Sequence, residues 1–269
     1  VRYQHVIEQV YFQPWLITEA GHAAIVHLLE SHLADTQREG TDPCGNAVEM
    51  ESMVIIDGMA HIPIGGVIGK KLSGMEKGSG AVDVNDISRE LNVATADPNV
   101  TRILLHIDSP GGMVTGTPEL SAQIGRIKKP VYAFTDGSMA SGAYWIGASA
   151  DAIFATETAN IGSIGVYLPV IDSTEAMAKR GLKVDLITAG TLKGAGFPGT
   201  KMTEAQRAHL QQRVNDIHGM FTAHVQAHRG VVTDATMQGQ TFMAKEALER
   251  NLIDGIVSSK AELIAQLLK

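Results

Sequence analysis

The run Thr101–Ile107 (TRILLHI) centres on three consecutive apolar residues, Ile103–Leu105, followed by Ile107, and a strand of that kind has to be covered on both faces. Pro130–Thr135 (PVYAFT) and Ile153–Ala155 read the same way. Helical stretches fall between them. Asp83–Ala96 turns Ile87 and Leu91 inward. Thr117-Pro118-Glu119 opens another helix with a capping hydroxyl, a proline at the first helical position and an acid in the first turn. Ala140–Ala150 is a helix of small residues. Met53–Asp57 and His61–Ile64 are short strands upstream. Ile164–Leu168 and Val184–Thr188 are strands downstream, with a helix at Ser173–Arg180 between them. Thr203–Arg229, Ala244–Arg250 and Ser259–Leu268 complete the chain as helices. Strands alternating with helices predict an α/β fold with mainly parallel pairing.

Ahead of this body, Thr18 caps a helix expected to run to about Glu39 and to stop at Gly40. Its Ile25, Leu28, Leu29 and Leu33 recur at helical spacing. The division is therefore an N-terminal helical arm, residues 1–45, and a body, residues 46–269. Residues 65–80 hold six glycines and read as a flexible loop. They do not form a phosphate loop, because Ile64 and Lys71 stand where that motif needs Gly and Ser or Thr.

Composition narrows the function classes. The 269 residues carry a net charge of −7 with no basic run, which disfavours nucleic acid as the main partner. The one cysteine, Cys44, excludes an intrachain disulfide. No stretch approaches the roughly 20 apolar residues of a membrane span, and the first residues lack the apolar centre of a signal peptide. A cytoplasmic setting is the expectation.

Three segments can carry chemistry. Asp108-Ser109-Pro110-Gly111-Gly112 follows the strand TRILLHI. Its bare backbone could approach a ligand and donate amides to an oxyanion, although Pro-Gly pairs commonly mark plain turns. Ser141 lies among small residues at a strand-to-helix junction, where a helix N-terminus favours developing negative charge. Capping the helix is the commoner fate of such a serine. Lys193 stands in Gly190–Gly199 (GTLKGAGFPG), just past a strand, and an isolated loop lysine is usually solvated. The ten histidines offer no Ser–His–Asp arrangement, since none lies between Ser141 and His209. His224 and His228 have i, i+4 spacing but no third ligand or adjacent Glu, so a metal site is disfavoured. His106 reads as a satisfied core histidine.

The order of LLHIDSPGG, SMASGAYWIGASAD, NIGSIGVYL and GTLKGAGFPGTKMTEAQR resembles the S49 peptidase family over about residues 50–257. That group includes signal peptide peptidase A and the phage protein C-type capsid proteases. FMAKEALERNLIDGIV is similar to the last α/β element of the wider ClpP/crotonase superfamily. FQPWLITEAGHAAIVHLLESH resembles the front of the phage-type members. The resemblance implies a ClpP/crotonase-like spiral of repeated ββα units and a Ser–Lys dyad. It makes Ser141 the nucleophile, Lys193 the general base and Ser163 a hydrogen-bond partner of that lysine. The backbone amides of Gly111, Gly112 and Gly142 become the oxyanion hole. Thr191 and Leu192 depart from the commoner form before the lysine, which leaves Lys201 as a fallback and Lys183 as a third choice. The resemblance further implies a polypeptide substrate, either a scaffold protein or a signal-peptide remnant, a homo-oligomeric ring or dome, and no cofactor or metal. The competing readings are a crotonase-type acyl-CoA enzyme and a non-catalytic scaffold.

Overall fold

The computed structural model describes residues 10–11, 13–34 and 52–269. In chain order the strands are β1 (Trp15–Ile17), β2 (Val54–Ile56), β3 (Met59–Gly65), β4 (Ile68–Gly69), β5 (Val82–Asp83), β6 (Arg102–Asp108) and β7 (Gly111–Met113). They continue as β8 (Val131–Thr135), β9 (Ser138–Ala140), β10 (Ala152–Ala155), β11 (Asn160–Gly162), β12 (Thr241–Met243) and β13 (Gly255–Ile256). The helices are α1 (Glu19–Ala34), α2 (Gly74–Gly78), α3 (Val84–Ala96), α4 (Thr117–Ile124) and α5 (Gly142–Gly147). After them come α6 (Thr174–Lys179), α7 (Glu204–Arg229), α8 (Ala244–Glu249) and α9 (Lys260–Leu267).

The centre is a sheet in the order β13-β10-β8-β6-β3-β2, parallel throughout except for β2 on its edge. Cover on both faces explains the apolar residues Ile103–Leu105 and Ile107 of β6. Ile103, Leu105 and Ile107 join the main core with Ile87, Leu91, Leu120 and Ile124 of α3 and α4. Leu104 joins Met59, Phe134, Val257 and Leu263 under α9 on the other face. Each such side chain contributes about 1.5–3 kcal/mol when fully buried. Two carboxylates clip the starts of the central strands. Asp151 accepts from the Val131 amide at 2.8 Å, and Asp254 accepts from the Ile153 amide at 2.7 Å. Asp254 also pairs with the largely buried Arg229 at 2.8 Å, tying the end of α7 to the sheet.

After each of β3, β6, β8 and β10 the chain makes a short strand outside the main sheet. These short strands form two further sheets, ordered β1-β7-β4-β5 and β12-β11-β9. Long strand, short strand and helix repeat as β6-β7-α4 and β8-β9-α5. This is the ββα spiral expected above. Residues Trp15–Ile17 of the N-terminal arm pair antiparallel with β7 of the body.

Several local expectations are corrected. The glycine-rich stretch 65–80 is ordered as β4 and α2. Gly66 approaches the Gly80 backbone so closely that a Cβ would lie 1.9 Å from its carbonyl oxygen, so glycine serves packing there. Ile164–Leu168 and Val184–Thr188 are not strands. Among the described residues the first makes only a single bridge, Tyr167 to Trp15 on the free edge of β1, and does not continue along that edge as a ladder. Thr117 does not cap α4. Gly116 holds that position, and the Thr117 hydroxyl donates to the Met113 carbonyl at 2.8 Å. The small-residue helix is shorter than expected, Gly142–Gly147. The expected end of the arm helix at Gly40, the domain boundary at 45/46 and Cys44 lie outside the described residues. Among those residues, no helix is long and apolar enough to cross a membrane.

Candidate active site

Ser141 is placed by two strands and a strained turn. Asp108, at the end of β6, accepts from the Ser138 amide at 2.9 Å and so fixes the start of β9. Gly137 is required beside it, since a Cβ there would lie 2.3 Å from the Asp108 carboxylate. Strand β9 then pairs in parallel with β11, Ala140 opposite Gly162. At Ser141 the backbone swings to φ 54°, ψ −119° before α5 begins. A non-glycine residue in that region costs about 1–3 kcal/mol and persists only where its surroundings over-determine it. Here the Ser141 amide donates to the Gly162 carbonyl at 2.7 Å. The serine is 1% exposed, and its Oγ has no hydrogen-bond partner among the described residues. Leaving a buried hydroxyl unpaired costs about 1–3 kcal/mol, so such an exception calls for an explanation.

Ser163 repeats this geometry one strand away. It follows Gly162 as Ser141 follows Ala140, has φ 50°, is buried, and donates its amide to the Gln240 carbonyl at 2.8 Å. The register of β9 on β11 therefore sets the two serines side by side.

The Ser-Pro-Gly-Gly turn forms the facing wall. Ser109 is fully buried, and its backbone links the turn to β9, donating to the Ser138 carbonyl at 2.7 Å and accepting from the Ala140 amide at 3.2 Å. Its Oγ accepts from the Gly111 amide at 3.1 Å. Gly111 adopts φ 102°. A Cβ on it would lie 2.9 Å from the Gly142 nitrogen, and one on Gly112 would lie 1.9 Å from the Ile68 carbonyl oxygen. Both glycines are therefore steric requirements. The Gly142 amide opens α5 and has no intrahelical acceptor. A Cβ on Gly142 would lie 3.4 Å from the Gly112 nitrogen, so Gly111, Gly112 and Gly142 converge on one small volume of backbone.

Lys193 is in a different setting. It is exposed, on the irregular segment between Gly162 and α7. Its amide donates to the Gly190 carbonyl at 3.1 Å and its carbonyl accepts from Gln206 Nε2 at 3.3 Å. Lys201 and Lys183 are exposed as well. Since Ser141 Oγ is unpaired, none of the three lysines bonds to it within the single chain. The same segment presents apolar side chains to water, with Val170, Ile171, Leu182, Leu192, Phe197 and, at 97% exposure, Ile187.

His224 and His106 are held in structural contacts, and His106, expected in the core, is partly exposed. His224 Nε2 lies 3.1 Å from Ser121 Oγ and 3.2 Å from Ser149 Oγ, and its ring stacks on Trp145 of α5. Burial and the neighbouring His228 push its pKa down to about 4. His106 pairs with Asp136 at 2.8 Å and lies 3.3 Å from Lys260 Nζ. Among the described residues there is no group of three or more potential metal ligands. Sequence reasoning missed Asp108, Ser109 and Leu16 as parts of the site. The first two were quoted only as letters of a turn motif, and Leu16 lies in a three-residue strand with no periodicity to read.

The profile of peptidase family S49 matches residues 123–267, more than half of the chain, including Ser141, Ser163 and Lys193. The chain belongs to peptidase family S49. A Clp protease profile matches residues 77–161, which contain the Ser-Pro-Gly-Gly turn and Ser141. The capsid assembly protease C of Escherichia phage lambda is 30% identical over 215 residues, covering 78% of this chain and 49% of that protein. The S49 chain thus spans about half the length of the curated relatives it matches. Among solved structures, a ClpP1 mutant from Listeria monocytogenes aligns with TM-score 0.50 at 15% identity, covering 76% of this chain and 94% of that one. An enoyl-CoA hydratase/isomerase family protein from Silicibacter pomeroyi gives TM-score 0.50 at 14% identity, covering 81% and 80%. The fold is the ClpP/crotonase-like one.

Proposed function

We propose that this S49 chain is a serine endopeptidase that works through an acyl-enzyme on Ser141, with Lys193 as general base. The observation that carries the reading is the buried, unpaired Ser141 hydroxyl, held on a strained turn beside the converging Gly111, Gly112 and Gly142 backbone. A hydroxyl needs a base to become a nucleophile. The S49 resemblance assigns that base to Lys193.

A free lysine has a pKa of about 10.4, so about one in a thousand is neutral at pH 7. Desolvation is what raises that fraction. Lys193 is exposed in the single chain, and the apolar side chains around it are exposed with it. The dyad is therefore completed when this segment is covered by a neighbouring copy in a homo-oligomer. In the closed site the neutral amine takes the Ser141 proton as Oγ attacks a peptide carbonyl. The Gly112 and Gly142 amides stabilise the resulting oxyanion, the Gly111 amide being held by Ser109 Oγ. The lysine ammonium then protonates the leaving amine, and water clears the acyl group. Ser163, beside Ser141, orients the amine. The lambda relative is a capsid assembly protease, which supports a phage or prophage scaffold protein as the substrate, cut in the bacterial cytoplasm during head assembly.

A fluorophosphonate should label wild-type protein at Ser141 and fail to label Ser141→Ala. Lys193→Ala should lower peptide hydrolysis at least about 100-fold, within the range for general base catalysis, while its melting temperature is unchanged. Full turnover by Lys193→Ala would move the base elsewhere.

A further inference from the structure

The groove beside Ser141 is occupied, and the occupant is the chain itself. Strand β1 lies antiparallel to β7, with Trp15 opposite Met113, Leu16 opposite Gly112 and Ile17 opposite Gly111. On its other side Trp15 exchanges backbone hydrogen bonds with Tyr167, at 2.9 and 3.3 Å. The Thr18 amide donates to the Pro110 carbonyl at 3.0 Å, at the mouth of the Ser-Pro-Gly-Gly turn. An extended segment zipped between two backbones, with alternate side chains in pockets, is how a peptide adds to an exposed strand edge.

The register centres on Leu16. Its carbonyl oxygen would lie 2.1 Å from a Cβ on Gly111 and 3.1 Å from one on Gly142. It therefore points into the backbone cradle where an oxyanion would form. Its side chain is completely buried in the main core, while Trp15 and Ile17 belong to a separate small cluster with Val10 and Leu29. Strand β7 has two edges. Ile68 of β4 pairs with Gly112 on one, and β1 takes the other. An incoming polypeptide has no edge of β7 left while β1 is in place.

We propose that Trp15–Thr18 is an intramolecular substrate mimic that fills the peptide groove and must leave it before another polypeptide can bind. This deepens the proposed function and rests on that reading for its consequence, though not for its binding test. It also defines what the groove accepts: an extended peptide with a branched aliphatic side chain, leucine here, on the acyl side of the bond facing Ser141.

The first measurement uses the full chain carrying Ser141→Ala, and a fluorescent peptide with the sequence Gln13–Ala20. The peptide should bind Ser141→Ala/Leu16→Glu at least tenfold more tightly than Ser141→Ala with native β1, because a carboxylate cannot occupy the apolar pocket. Leu16→Ala should fall between the two and keeps the measurement valid if the glutamate variant fails to fold. A peptide with glutamate at the leucine position should not bind. Equal affinity with and without the Leu16 change, or no binding to any folded variant, overturns the proposal. The second measurement is the rate of fluorophosphonate labelling in chains that retain Ser141, which should rise at least tenfold in Leu16→Glu. Peptide binding that follows Leu16 in a protein whose Ser141 never labels would remove the protease reading and leave the occupied groove standing. Labelling at one rate in both chains would do the reverse.

Discussion

The two halves of the proposed dyad are built differently. The serine half, residues 102–162, is assembled by ladder pairing, and its side chains are buried against two faces of one sheet. Ser141 and Ser109 are fixed there by backbone hydrogen bonds of 2.7–3.2 Å, and the Gly111 amide by Ser109 Oγ at 3.1 Å. The lysine half, residues 163–203, has one short helix, no ladder, and six large apolar residues facing water. The first half follows from the chain's own contacts. The second lacks the contacts that would hold a neutral amine, which is what a segment waiting for a second surface looks like.

The largest test of this contrast is on the serine side. Gly112→Ala should destabilise the protein by roughly 3 kcal/mol or more, because the added carbon would displace the Ile68 backbone. Denaturant unfolding would measure it, and Ser141 labelling should disappear with it. A neutral result would mean that this wall yields, and the contrast would weaken.

A smaller effect is expected in acid. Burial holds the His224 pKa at about 4 in the folded chain, against about 6.5 unfolded. The stability of its neutral form is fully present above pH 6.5. It is lost as pH falls from 6.5 towards 4, because the unfolded chain binds the proton first. The ring is only partly buried, so the loss should be about 1–2 kcal/mol. Melting curves across that range should show His224→Gln flatter than wild type. Parallel profiles would mean that the α5–α7 contact does not sense the proton.

The smallest effect belongs to the lysine side. Lys193→Ala should shift the stability of the isolated chain by no more than about 0.5 kcal/mol, as expected for an exposed residue without ion pairs among the described residues. A larger loss would show that the single chain already uses this lysine.

The same contrast decides what could be read from residues alone. The central strands β6, β8 and β10 were legible because burial on both faces leaves consecutive apolar residues, Ile103–Leu105 in β6. Helix α3 was legible from its buried stripe, Ile87 and Leu91. The short strands β7, β9, β11 and β12 were not, since three residues carry no period and exist as strands only because a neighbouring strand pairs with them. Ile164–Leu168 and Val184–Thr188 have strand composition but form no ladder, the first touching the edge of β1 only at Tyr167, and β propensity expresses little without pairing. The site's chemistry showed in its motifs, whereas Leu16 lay in a segment whose role appears only once the chain has folded back on itself.

One hydrogen bond already described has a mechanical consequence. The amide of Ser141, the proposed nucleophile, is held by Gly162, and the next residue, the buried Ser163, leads into a segment that reaches the surface at Val170. The Ser163 amide is anchored in turn on the Gln240 carbonyl at 2.8 Å, so a displacement of the exposed chain has to load that bond before it is felt at position 141. In the proposed oligomer, contact at the exposed segment would therefore bring an amine to a serine whose backbone is already fixed within its own chain.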